Sequence, residues 1–454
     1  MVRTAAAGSL LALSACSRPP DVVLISIDTL RVDHVSAFDP LSPARTPHLD
    51  QLAEDGVRFT RAYSPISVTG PAFCTVHTGQ SPSTHGVVMN LFRGGPTLSS
   101  GETTLAEHLR VRGHRTGAFV SGFTLRPELN LDQGFEMYSA PVGRNRTGAA
   151  TRRSAEQWWD TISPEEPMFL WYHSFDPHGP LGRWGGRGMQ HRWRQDEAEL
   201  LHYPRYQQIG KISEDRYYAT RYARAVRATD GEVGLLLKRL RDEGRYDDAL
   251  IIFHADHGES FTERNLWFDH GFGAYEEQLH VPLIVKLPGN VRAGEVVDRL
   301  VSLEDILPTV LEVGGLWGTA LVDGISLLGD GPTDRVLVGE SSHCKKNPLL
   351  SCRPGGPRGK QIVARDGEHT VLEVPILGGE SLTAVYEVAS DPTERTPRML
   401  VPPPHLLAAI APVRAARDRL RLTVPVIPAA GASDEDASLK EELEALKALG
   451  YVDE

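Results

Sequence analysis

Cysteine is scarce, with four in 454 residues, so a disulfide-stapled scaffold is excluded. Basic runs are absent and the net charge is −11, which argues against nucleic acid as a partner. Apolar runs long enough to span a bilayer are also missing. No internal repeat is visible. The hydrophobic fraction of 41% and charged fraction of 24% are those of a globular protein, too long for one ordinary core. An acidic chain that handles anions must supply positive charge locally, through a metal, helix N-termini or a few Arg and His.

The chain begins MVRTAAAGSLLALSACSRPPD, with one Arg ahead of a short apolar run. Such a run reads as an export signal rather than a membrane span. LSAC resembles a bacterial lipobox, which implies cleavage before Cys16 and a lipid anchor on its sulfur. The alternative is an ordinary signal peptide with a chance Cys. The expectation is a signal over residues 1–15, a linker over 16–20, and a protein exported and lipid-anchored to the bacterial cell envelope. Cys344 and Cys352 flank a short loop, CKKNPLLSC, and an oxidising compartment would permit their pairing; whether they bond is open. Cys74 reads as a packed residue.

Beyond the linker, strand and helix patterns alternate. Residues 21–27 (DVVLISI) form a continuous apolar run that suits a strand buried on both faces. Thr46-Pro47 opens a helix that stops at Gly56, with Thr46 as its N-cap. Thr104 and Glu107 form a capping box. Residues 116–121, 168–172, 249–254 and 281–287 read as further strands, and 218–240 as a long helix with Val226, Val233, Leu237 and Leu240 on one face. The pattern predicts an α/β fold, a doubly wound, mainly parallel sheet with helices on both faces, over 21–328. Residues 180–216 lapse from the pattern, as a surface insertion or a lid over the site. Residues 329–454 read as a smaller C-terminal α+β subdomain ending in an amphipathic helix, SLKEELEALKALGYV.

Ligands of open α/β sheets bind beyond the carboxyl ends of the strands. One strand ends at Asp28; another runs into His173, Asp176 and His178; a third ends in His254, Asp256 and His257. Thr69, in SVTGPAF, opens a loop–helix unit that could join them, with its hydroxyl beside free backbone N–H groups. Two Asp, a His and a deprotonated hydroxyl make a mixed O/N shell for a divalent metal. Bound there, a metal would lower the pKa of the Thr69 hydroxyl. His254 and His173 read as satisfied core histidines, and His77 as packed in its helix.

The succession IDTLRVDHVSAF, TPHLDQLAEDGVRFTRAYS, TGPAFCTVHTG, TLAEHLRVRGHRTGAFVSG, LDQGF, FDPHGP, DHGE, YEEQLHVPLIV and LKALGYV resembles the sulfatase-like branch of the alkaline phosphatase superfamily. The resemblance covers nearly all of the chain after the signal. It implies a metal-dependent hydrolase or phosphotransferase with a covalent intermediate. Asp28 matches the first metal ligand, Asp256 and His257 the later pair, and Thr69 the nucleophile. His178 matches the histidine that contacts the ester, with Asp176 beside it, and His270 lies near a basic residue on the leaving-group side.

The departures matter. Sulfatases proper show C/S-x-P-S-R, with Cys or Ser oxidised to formylglycine, where this chain has Thr69-Gly70-Pro71-Ala72-Phe73. Oxidising Thr would give a ketone, so the aldehyde hydrate cannot form, and the Arg is Phe73. The Asp-Asp pair is Asp28-Thr29, the Asp-Asn pair is Asp256-His257, and the GKWH element aligns with Val120-Ser121-Gly122-Phe123. Imidazole for carboxamide shifts the preferred ion from calcium towards zinc or manganese. One ion is expected; Asp176, His178 and His270 could hold a second, or bind the substrate directly. The leading expectation is a phosphate-ester, phosphodiester or phosphonate hydrolase acting on a small-molecule, lipid or glycan anionic ester through Thr69. The alternatives are a sulfuric ester hydrolase with an unconverted nucleophile, or a former enzyme kept as a binding protein.

Overall fold

The computed structural model describes residues 18–420, apart from 92–94, 185–193, 317, 319, 343–359, 376–380 and 399–400. Cys16 in the lipobox-like LSAC, Cys344, Cys352 and the stretch expected to form a C-terminal helix lie outside the described residues. Eight strands are β1 (Val22–Ile27), β2 (Val57–Tyr63), β3 (Arg115–Phe119), β4 (Met137–Ser139), β5 (Met168–Ser174), β6 (Leu250–Ala255), β7 (His280–Lys286) and β8 (Val296–Ser302). They form one sheet in the order β4-β3-β5-β1-β6-β7-β2-β8. Every pairing is parallel except those of β7, which runs antiparallel to β6 and β2. β1 is central, and all six of its residues are buried, as a both-faces-covered strand requires.

Helices Pro47–Asp55, Gly148–Trp159 and Asp215–Asp242 pack together as one layer, and Thr69–Thr78, Leu105–Val111 and Ile306–Val313 as another. The Thr104 capping box forms: Thr104 accepts from the Glu107 N–H at 3.3 Å, and Glu107 Oε2 accepts from the Thr104 N–H at 2.8 Å. Thr46 does not cap its helix. Its hydroxyl accepts from the Ser36 N–H at 2.9 Å and donates to Asp50, which ties the preceding loop down instead. Gly56 follows that helix in extended conformation, and a Cβ there would lie 2.8 Å from the Val285 carbonyl oxygen, so the close approach to β7 requires glycine.

A second, antiparallel sheet consists of β9 (Leu337–Glu340), β10 (Ile362–Arg365), β11 (His369–Pro375) and β12 (Ser381–Glu387), in the order β12-β11-β10-β9. Helix Pro404–Leu420 covers it, burying Leu406 and Ile410 against Ile362, Ala364 and Val371. The small sheet is knitted to the large one just ahead of Thr69. The Glu340 N–H donates to the Pro65 carbonyl at 2.9 Å, and the Ser67 N–H to the Glu340 carbonyl at 3.3 Å.

A charged cluster closes the seam between the sheets. Arg365 pairs with Glu394 at 2.9 Å, the Glu276 N–H donates to Glu394, and Tyr63 donates to Glu276. His280 lies with Nδ1 2.8 Å from Glu276 Oε1 and Nε2 2.8 Å from the Thr60 carbonyl. Both ring nitrogens face acceptors, so the geometry calls for an imidazolium. Burial opposes that charge, but Glu276 and the Thr60 carbonyl outweigh it and hold the imidazole above its ordinary range, against a smaller opposing effect of Arg365. A pKa raised on folding contributes stability that is complete below the unfolded value of about 6.5 and is lost as pH rises through the folded value. His280→Asn should therefore destabilise by about 1.5–3 kcal/mol at pH 6, the range for hydrogen bonds to charged groups, with the gap to wild type shrinking above neutrality. Thermal melts of both proteins from pH 6 to 9 test this; a gap that widens with pH would exclude it.

Candidate active site

Parallel pairing brings three strand ends to one edge. Ser26 of β1 lies opposite His173 of β5 on one side and His254 of β6 on the other, so the next residues outward are Asp28, Asp256 and their neighbours. The turn after β1 is strained: Thr29 has φ +54°, a left-handed conformation that a β-branched residue rarely adopts. It is held because the Thr29 N–H donates to Asp256 Oδ1 at 3.1 Å and Tyr222 donates to the Thr29 carbonyl at 2.6 Å.

Thr69 is the first residue of helix Thr69–Thr78, and the whole helix is buried. Its hydroxyl donates to Asp28 Oδ2 at 3.2 Å and lies 3.4 Å from His257 Nε2. His257 Nδ1 is 2.8 Å from the Gly258 carbonyl, which must accept, so Nδ1 carries the proton and the Nε2 lone pair faces Thr69. Asp256 Oδ1 accepts from Thr29 and from the His257 N–H at 2.9 Å. Asp28, Thr69, Asp256 and His257 are all buried.

This donor set fits a divalent cation. Asp28 Oδ1 and Asp256 Oδ2 are buried without a hydrogen-bond partner among the described residues. One ligand atom from each of Asp28, Asp256 and His257 lies within 4.8 Å of the others, the one such group among the described residues. Burial, and secondly the Asp256 charge, push the Asp28 carboxyl well above its ordinary range. Two carboxylates with unsatisfied oxygens facing each other are costly unless a cation sits between them. The hydrogen bond from His257 to Gly258 is the kind of outer contact that fixes a metal-binding imidazole.

His178 and His270 join this edge. The His270 ring lies 4.6 Å from that of His257 and 4.9 Å from that of His178, centroid to centroid. His178 stacks on Phe175 at 4.0 Å. His270 Nδ1 is 3.3 Å from Glu259 Oε1; burial pushes the Glu259 carboxyl well above its ordinary range and the His270 imidazole down to about 4. Asp176 takes another place. Its Oδ2 accepts from the Gly148 N–H at 2.9 Å, at the start of helix Gly148–Trp159, and Arg183 is its charged neighbour at 3.5 Å. A carboxylate at a helix N-terminus is stabilised there, so Asp176 anchors the loop that carries His178. Residues 197–212 of the insertion cover this loop. Gln207 donates to the His178 carbonyl at 2.7 Å, and the Tyr206 ring lies 5.5 Å from that of His178.

Three details differ from the sequence expectation. The start of helix Thr69–Thr78 does not offer a nest of free N–H groups: the Gly70 N–H donates to Asn90 Oδ1 at 2.7 Å, Pro71 has none, and the Ala72 N–H bonds to the Val68 carbonyl. Asn90 is a further polar residue near this helix start: Gly70, next to Thr69 in the chain, holds its Oδ1, and its buried Nδ2 has no hydrogen-bond partner among the described residues. His173 is not a satisfied core residue, since its Nε2 reaches to 3.4 Å from Asp28 Oδ2. His254 bonds locally only through Nδ1, to the Ala255 carbonyl at 2.9 Å; its Nε2 and both ring nitrogens of the buried His77 have no hydrogen-bond partner among the described residues. Only the ladder register brings His173 to Asp28, and nothing in the local sequence marks Asn90.

Comparison with known proteins gives this arrangement a lineage. Human arylsulfatase A is 27% identical over 493 residues, covering 95% of this chain and 94% of its own. An ulvan-active sulfatase of Formosa agariphila is also 27% identical over 338 residues, 67% of this chain; the chain spans 63% of that relative's length. The crystal structure of the phosphonate monoester hydrolase of Agrobacterium radiobacter superposes with a TM-score of 0.63 at 22% identity, over 89% of this chain and 96% of that one, a likeness of fold. The sulfatase family model matches residues 20–316. The chain therefore belongs to the sulfatase family, whose members are divalent-metal-dependent ester hydrolases.

Proposed function

We propose that this protein hydrolyses phosphate monoesters, diesters or phosphonate esters, or transfers their phosphoryl group, using the unmodified hydroxyl of Thr69. The observation that carries the reading is the place of that hydroxyl, between Asp28 Oδ2 and the His257 Nε2 lone pair. Thr cannot yield the aldehyde that sulfatases proper use, so the side chain must act as an alcohol. A divalent cation held by Asp28, Asp256 and His257 would lower the hydroxyl's pKa and offset the charge of the ester. One ion is proposed, and two carboxylates with an imidazole suit zinc or manganese better than calcium.

The chain's own groups supply the remaining roles. The Thr69 proton passes to Asp28 Oδ2 as Oγ1 bonds to phosphorus and the bond from phosphorus to the leaving oxygen breaks. His178 and His270 face the ester and its leaving group, with the buried Asn90 Nδ2 as a neutral donor to a non-bridging oxygen. Water or an acceptor alcohol then attacks phosphorus and releases Thr69. Phe175 beneath His178, and Gln207 and Tyr206 over it, hold the loop closed against bulk water.

The second reading, sulfate-ester hydrolysis with an unconverted nucleophile, draws on the relatives, since arylsulfatase A and the ulvan-active enzyme are sulfatases. Retention of Asp28, Thr69, Asp256 and His257 together speaks against a mere binding protein. Aryl phosphate monoester, diester, phosphonate and sulfate substrates offered to the zinc- or manganese-loaded protein separate the readings. Phosphorus-ester turnover at least about a hundredfold above sulfate turnover is expected, a difference of about 2.7 kcal/mol in activation free energy. Turnover of the sulfate alone overturns the reading, and turnover of none returns the binding protein.

A further inference from the structure

Two positions at which this chain departs from the sulfatase pattern touch one imidazole. Phe73, where the pattern has Arg, sets its ring edge against His173 with centroids 5.2 Å apart. Ser121, where the GKWH element has Lys, donates its backbone N–H to His173 Nδ1 at 3.3 Å and its hydroxyl to the His173 carbonyl at 2.8 Å. His173 is fully buried near the carboxyl end of β5.

An amide N–H can only donate, so Nδ1 is the acceptor and the ring proton is on Nε2. That Nε2 lies 3.4 Å from Asp28 Oδ2, the oxygen that accepts from Thr69. At 3.4 Å the approach is longer than a hydrogen bond, and Nε2 has no hydrogen-bond partner among the described residues. The other oxygen, Oδ1, is the one left without a partner.

We propose that His173 is a positioning residue for the metal centre: its Nε2–H, lying close to Asp28 Oδ2, biases the rotation of that carboxylate, keeping Oδ2 on the Thr69 side and leaving Oδ1 free to take a cation. The inference rests on reading Asp28 as a metal ligand. It gives the two departures a common sense. The Phe73 ring packs edge-on against the imidazole, and the Ser121 N–H sets its tautomer. A neutral donor orients the ligand without competing for its charge.

The test is zinc affinity, read by competition with a chromophoric chelator, in wild type, His173→Phe and His173→Gln. Phe keeps the ring packing against Phe73 and removes the donor; Gln keeps an N–H at similar reach. His173→Phe should bind zinc about 10–100-fold more weakly, the usual effect of losing an outer-shell partner, and His173→Gln should recover most of that loss. If His173→Phe does not fold, His173→Met, similar in length and without a donor, takes its place beside His173→Gln. Wild-type zinc affinity in a folded donorless variant overturns the inference alone. Equal losses in the donorless and Gln variants overturn it as well, since packing rather than the donor would then matter. A wild-type protein that binds no zinc overturns the metal reading and this inference with it.

Discussion

Thr69→Ala is expected to abolish turnover, by roughly 10⁴-fold or more, while leaving the protein folded and able to bind metal. The size follows from the role, because removing a nucleophile leaves only binding and electrostatic stabilisation. The fold should tolerate the change. Thr69 makes no cap hydrogen bond to its helix, and the helix is held by the burial of all ten of its residues. Asp28 loses one donor, but Asp28, Asp256 and His257 keep the ligand atoms that lie within 4.8 Å of one another. Thr69→Ser retains the hydroxyl and should stay within about tenfold of wild type, losing only the methyl that restrains its rotamer. Mass spectrometry of the peptide spanning Thr69 should find it unmodified at rest and phosphorylated during turnover of a slow substrate. Appreciable turnover by Thr69→Ala would exclude the nucleophile assignment, whatever the substrate proves to be.

The sequence was most legible where local chemistry and tertiary structure agree. DVVLISI is apolar throughout because β1 is covered on both faces, and Thr104 with Glu107 caps its helix through residues three apart. Asp28, Asp256 and His257 were readable because strand ends converge in a parallel sheet. Thr46 misled because a hydroxyl at a helix start can bond outward to Ser36 as easily as inward. β2, with Arg58 and Arg61 among its apolar residues, lacks the continuous run of the central strands, since it lies next to the edge strand β8. Asp176 looked like a site carboxylate from its neighbours, yet its partner Gly148 is 28 residues away in sequence. His173 and Asn90 depend on contacts across 52 and 20 residues, which no local pattern encodes.

Metal removal should lower the melting temperature, and Asp256→Asn should reverse the order of stabilities. Without metal, Asp28 Oδ1 and Asp256 Oδ2 are buried with no hydrogen-bond partner among the described residues, so each carboxylate is only partly compensated, through its other oxygen. A ligand at about a thousand times its Kd stabilises by about 4 kcal/mol, so chelation should cost the wild type about 5–10 °C. Asp256→Asn removes one buried charge. Its amide oxygen can still accept from the Thr29 and His257 N–H groups, while its new N–H₂ faces the Asp28 carboxylate. With chelator, this variant should therefore melt above wild type; with zinc or manganese it should melt below, having lost a charged ligand. A purely structural role for Asp256 makes the opposite prediction, a variant less stable under both conditions by the same amount. Melts of both proteins with and without metal decide between them. Curves that do not respond to metal would remove the cation from the centre, and with it the reason for burying two carboxylates beside one hydroxyl.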